Sequence, residues 1–248
     1  MPDNSANLKP IVVVDSLPLT KNTLQKEEMD VPMNAIEFIG KQSDTVTLPQ
    51  NEVVNYIGYV NFPRSTDTSR KKPSIQVYVD TSHELSVNLD RFSAPLPTKI
   101  IKHKSRNLKS NATTESDITN RSKNLVQAIP VFITNLAIDT VFLAHQDGCI
   151  FMIQEAKDEN GTWKPIEYWR YNICVESYGV VALLPSNLVL VKIIRYTGSF
   201  ETSLRVKLRN GEHVYYSNTF KGTINKKQFD LPTDFSDKLY VDRMFLNK

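Results

Sequence analysis

Glycine is scarce in this chain, with 8 in 248 residues. That is about half the usual share of roughly 7%, and it argues against glycine-rich phosphate loops and flexible-linker architecture. None of the glycine-based nucleotide or nucleophile-elbow signatures occurs. Cysteine is limited to Cys149 and Cys174, too few for a disulfide scaffold or a four-cysteine zinc site. One Cys149–Cys174 bridge and two free thiols both remain open. No apolar run approaches the roughly 18 residues of a spanning helix. The start, MPDNSANLKP, lacks the basic and then apolar pattern of an export signal. A cytoplasmic chain and a mature exported chain both fit that start. The four histidines, His83, His103, His145 and His213, have no metal-ligand spacing, so no cofactor or metal is expected. Charge of one sign is lacking too. Thirty Lys and Arg face 27 Asp and Glu, a formal +3, so the whole chain does not resemble a nucleic-acid binder.

What is present is strand pattern. Residues 1–35 form an extended, polar N-terminal segment, with a strand expected at 11–14 and a helix at 21–31, ended by Pro32. A β-rich region follows over 36–102, with strands expected at 36–39, 46–48, 53–61, 74–80 and 85–89. Ile75, Val77 and Val79 alternate with Gln76, Tyr78 and Asp80, the period of a half-buried strand. Residues 103–127 are rich in Ser, Thr, Asn and Lys and hold no aromatic side chain. They read as a polar linker or exposed loop, with too little apolar surface to offset ordering. Two glycosylation-type tripeptides, at Asn111 and Asn120, fall here and matter only in a eukaryotic secretory setting.

From 128 to 230 the signal sharpens into a β-sandwich domain, followed by a C-terminal tail at 231–248 with a short helix expected at 234–239. Asn160-Gly161 and Asn210-Gly211 mark tight hairpins, and Pro165 suggests an edge or a bulge. Leu204, Val206 and Leu208 alternate with Arg205, Lys207 and Arg209, a strand with one wet face. Eight or nine short strands within about 100 residues indicate an antiparallel sandwich, Ig-like or jelly-roll-like. The 36–102 region is either a second small sandwich or a set of strands that complete the first. The fold class is all-β.

Two constellations bear on chemistry. Glu155 and Glu167 lie on the two arms of the 160–161 hairpin, where an opposed pair would suit glycoside hydrolysis. The bland reading is two cross-strand carboxylates with basic neighbours. The second is aromatic: Trp163, Tyr168, Trp169, Tyr171 and Tyr178. Such rings build a core, a protein interface or a glycan platform. Trp169 and Tyr171 share one face and Tyr168 and Arg170 the other, so at least one set is expected in the core.

The runs Gln146-Asp-Gly148, Met152–Asp158, Asn160-Gly161, Trp163, Pro165–Tyr168, Tyr196-Thr-Gly198 and Tyr216-Ser-Asn218 resemble uncharacterised exported envelope proteins of Bacteroidetes-type bacteria, over about residues 128–230. The resemblance implies an exported or lipid-anchored β-sandwich with no assigned chemistry, and residues 2–10 as a tether. The expected function is a non-enzymatic structural or interaction subunit of a membrane-associated envelope assembly. The alternative is a carbohydrate-binding surface protein using aromatics of 163–178. Protein partners are expected, a glycan is the alternative ligand, and no nucleic acid is expected. A jelly-roll capsid protein fits the size but lacks the Lys/Arg-dense arm that RNA packaging needs.

Overall fold

A computed structural model describes residues 11–48, 72–92, 124–171, 174 and 177–232. The expected strand at 53–61, most of the 103–127 linker and the tail helix at 234–239 lie outside the described residues. No α-helix occurs among the described residues, and the chain is an all-β, antiparallel, sandwich-like fold. No helix there is long and apolar enough to cross a membrane.

The first sheet is built on two long neighbours, β6 (Leu125–Asn135) and β12 (Asn187–Ile194). β2 (Ile36–Lys41) pairs with the free side of β12, while β4 (Ile75–Val79) and β5 (Leu85–Asn88) pair with successive stretches of β6. Of the described strands in the 36–102 region, β2, β4 and β5 thus join the same sheet as β6 and β12.

The second sheet runs β10 (Trp163–Pro165), β9 (Met152–Lys157), β13 (Phe200–Asn210) and then β14 (His213–Tyr216). β15 (Phe220–Ile224) pairs with the first half of β13. A small third sheet joins β11 (Tyr178–Leu183), β7 (Val141–Gln146) and β8 (Cys149–Ile150). Val131, Ile133, Val189 and Val191 of the first sheet pack against Leu143, Leu183, Met152, Val206 and Leu208 of the others, forming the main core.

The outer side of the first sheet is covered as well. β1 (Val12–Val14) pairs in parallel with β3 (Thr45–Thr47). Ile11, Val46 and Leu48 close over Phe132, Leu188 and Leu190. Burial on both faces explains why β12 is an almost unbroken apolar run instead of an alternating one. The exception within it, Lys192, is buried and donates to Asp15 Oδ2 at 2.5 Å and to the Ser86 carbonyl at 2.9 Å.

The helix expected at 21–31 does not form. This stretch is extended and is tied to the sandwich by main-chain bonds. Gln127 donates to Asn22, Thr197 to Leu24, Asp30 to Ile166 and Tyr168 to Asp30. Bridges join Leu24 to Tyr196 and Asp30 to Glu167. These partners satisfy the backbone in place of a helical ladder. The hairpin signals behave as expected: Gly161 and Gly211 both take positive φ, +76° and +59°. Cys149 and Cys174 are not joined in a disulfide.

Candidate functional site

The inner residues of β13 are in the core, so Arg205, Lys207 and Arg209 stand on the outward face of the second sheet. Register sets their neighbours. Arg205 lies opposite Glu155 of β9, and Lys207 lies between Ile153 of β9 and Tyr216 of β14. Trp163 of β10 lies opposite Lys157, on the same face.

Glu155 is 1% exposed and forms the base of the site. Arg205 Nε donates to its Oε2 at 2.8 Å, Arg205 Nη2 lies 2.6 Å from the same oxygen, and Lys207 Nζ lies 3.2 Å from Oε1. The guanidinium carbon of Arg205 sits 4.2 Å from the Trp163 ring centroid and 3.9 Å from that of Tyr216. Both distances are within cation–π range. Lys157 Nζ lies 5.3 Å from the Trp163 centroid. Tyr216 is 48% exposed. An arginine is therefore locked between two rings over a buried carboxylate, with one ring open to solvent.

The sequence-selected aromatics separate. Trp163 belongs to this cluster. Tyr168 and Trp169 are buried. Trp169 packs on Phe151 at 4.8 Å between centroids, and its indole N–H donates to Gln146 Oε1 at 3.3 Å. Tyr171 and Tyr178 are half-buried and pack on Phe151 from 5.9 and 6.3 Å. The Tyr171 hydroxyl accepts from Arg209 Nη1 at 3.1 Å. Three of the five named rings, Trp169, Tyr171 and Tyr178, thus lie in or against a small aromatic core, Tyr168 is buried apart from them, and Trp163 joins the exposed cluster. The residues that complete the site, Tyr216 and the stacked Arg205, come from β14 and β13. The alternation of β13 was the sequence signal for Arg205.

Glu155 and Glu167 do not form an opposed pair. Glu155 lies opposite Pro165, and Glu167 follows beyond the end of β10. Glu155 points outward to Arg205. Glu167 points inward, where its carboxyl accepts from the Gln154 N–H at 2.7 Å, Gln154 Nε2 at 3.0 Å and the Tyr196 hydroxyl at 2.8 Å. Asp30 Oδ2 lies 3.4 Å from the same hydroxyl. Burial pushes the Glu167 carboxyl up to about 7, helped by the nearby Asp30 charge and opposed by those three donors. The Tyr196 hydroxyl is held well above its usual value, chiefly by burial and next by Glu167.

The histidines are dispersed. His83 bonds Asp80 at 2.9 Å. His145 is buried against Gly179, and desolvation holds its imidazole below the ordinary value. Among the described residues no group of three or more His, Cys, Asp or Glu is arranged to hold a metal. Comparison with protein-family models, curated proteins and solved structures gives no match.

Proposed function

We propose that this chain is a non-enzymatic interaction protein, an accessory subunit of a membrane-associated assembly of a bacterial envelope. It meets its protein partner through the outward face of the second sheet. The observation that carries this reading is Arg205 held between Trp163 and Tyr216 above Glu155. Trp, Tyr and Arg are the residue types that dominate binding energy at protein interfaces. Here they are already stacked, so little side-chain entropy is lost on binding. The separation of Glu155 from Glu167 onto opposite faces supports the non-enzymatic part. The envelope setting, with an exported or lipid-anchored native form, rests on the resemblance of residues 128–230.

A glycan platform draws less support. The Trp163 ring is in contact with Arg205 and Lys157, and Trp169 is buried, so neither offers a clear face to a sugar ring.

The test is a tagged pull-down from native membranes in mild detergent, comparing wild type with Trp163→Ala and Tyr216→Ala. A stoichiometric partner that is retained by wild type and lost from both variants supports the reading. Recovery of the chain alone, or equal capture by all three proteins, overturns it.

A further inference from the structure

We propose that the partner segment recognised on this face is a carboxylate-rich peptide. This rests on the interaction reading above and specifies its chemistry. The outward face carries Lys157 on β9, Arg205, Lys207 and Arg209 on β13, and Lys221 on β15. Against these cations the same face sets two carboxylates, Glu155 and Glu201. Glu155 is already engaged by Arg205 and Lys207 beneath the stack. Glu201 lies toward the end of β13, opposite Thr223. The face is therefore net positive although the whole chain is nearly balanced.

Register shows how the cations gather. Lys221 of β15 is opposite Ser203 of β13, and the Arg205–Glu155 and Leu204–Ala156 pairs bring Lys157 of β9 beside Ser203 from the other side. Arg205 lies two residues along β13 from Ser203, about 7 Å away. The three cations thus form a compact triangle, which complements a segment dense in carboxylates. Tyr216, exposed beside Arg205, offers an apolar flank for the peptide backbone. A single-stranded nucleic acid is disfavoured, because it needs ring faces for base stacking, and the Trp163 and Tyr216 rings here hold Arg205.

The test uses the full chain and a fluorescein-labelled peptide of alternating Glu and Ser, read by fluorescence polarisation. A peptide of alternating Lys and Ser and a heparin fragment serve as parallel arms. The double variant K157E/K221E reverses two charges and leaves Arg205, Trp163 and Tyr216 themselves unsubstituted, and circular dichroism checks its fold. The expected result is binding of the Glu–Ser peptide only. That binding should weaken about tenfold or more in K157E/K221E, and it should also weaken between about 0.05 and about 0.5 M salt. Equal binding to wild type and K157E/K221E overturns the proposal, as does binding of heparin without the Glu–Ser peptide, or no binding at all. If the peptide fails while membrane capture still depends on Trp163, the acidic-segment proposal falls and the interaction reading stands. Loss of both results removes both.

Discussion

Glu167 gives the sharpest energetic prediction. Its carboxyl titrates near the ordinary 4.5 when unfolded and near 7 when folded. Between those values the folded protein holds a proton that the unfolded chain has released. The group's contribution to stability is therefore complete below about pH 4.5 and is lost as pH rises through 7. A gap of about 2.5 at about 1.4 kcal/mol for each power of ten gives about 3 kcal/mol in all, of which about 2–3 kcal/mol falls between pH 5 and 8.

Glu167→Gln removes the titration and keeps the shape. It also sets an amide against three converging donors, two from Gln154 and one from Tyr196. Gln154 cannot simply turn over, because its Nε2 also donates to the Ile194 carbonyl at 3.0 Å. The variant is thus expected to be about 1–2 kcal/mol less stable than wild type at pH 5. At pH 8 it should equal or exceed wild type, because it carries no buried charge. The assay is urea unfolding of both proteins across pH 5 to 8. The difference between them isolates Glu167 from His145, whose lowered value acts in the opposite direction: its contribution is lost as pH falls. Parallel stability curves for the two proteins would refute the reasoning.

Three further outcomes follow from buried contacts. Asp15→Ala strands the Lys192 ammonium, which is 2% exposed with Asp15 as its only carboxylate among the described residues, and should cost about 3–5 kcal/mol in urea unfolding. Glu155→Gln removes the buried carboxylate that Arg205 and the nearly buried Lys207 share. It is expected to lower stability by about 3 kcal/mol, read from a thermal melt. Gly198→Ala places a methyl group 2.1 Å from the Ile224 carbonyl carbon. It should cost about 1–3 kcal/mol through displaced backbone, with the loss visible as faster amide exchange in β15.

Local features of this fold were legible in the sequence, and long-range ones were not. The alternation of Leu204, Val206 and Leu208 with three cations gave β13 and its two faces, although Lys207 on the outward one is buried, and the two Asn-Gly dipeptides gave their hairpins. The membership of β2, β4 and β5 in the sheet of β6 and β12 was not legible, because pairing between residues as distant as Asn88 and Leu125, Val79 and Val131, or Phe38 and Leu190 leaves no local mark. The 21–31 stretch carried a weak helical pattern, and edge contacts with residues 127, 166, 168 and 197 overrode it. The hairpin suggested that Glu155 and Glu167 oppose each other. The ladder instead ends at Pro165, and the pleat sends the two carboxyls to opposite sides. The candidate cluster was half visible: Trp163 stood out as an aromatic, but its meeting with Arg205 spans β9, which lies between their strands. Lys192 was a single charge in an apolar run, a signal of a buried partner that could not name Asp15.

The most direct test of the interaction claim is site-specific photo-crosslinking in intact source cells. A photoreactive phenylalanine analogue replaces Tyr216 in one strain and Val12 in another. Both positions are about half exposed, and they lie on opposite outer faces of the sandwich. The account predicts one dominant protein adduct from position 216, carrying a segment rich in Asp and Glu, and none from position 12. Adducts from position 12 alone, or none from either position while a partner still co-purifies, would contradict it.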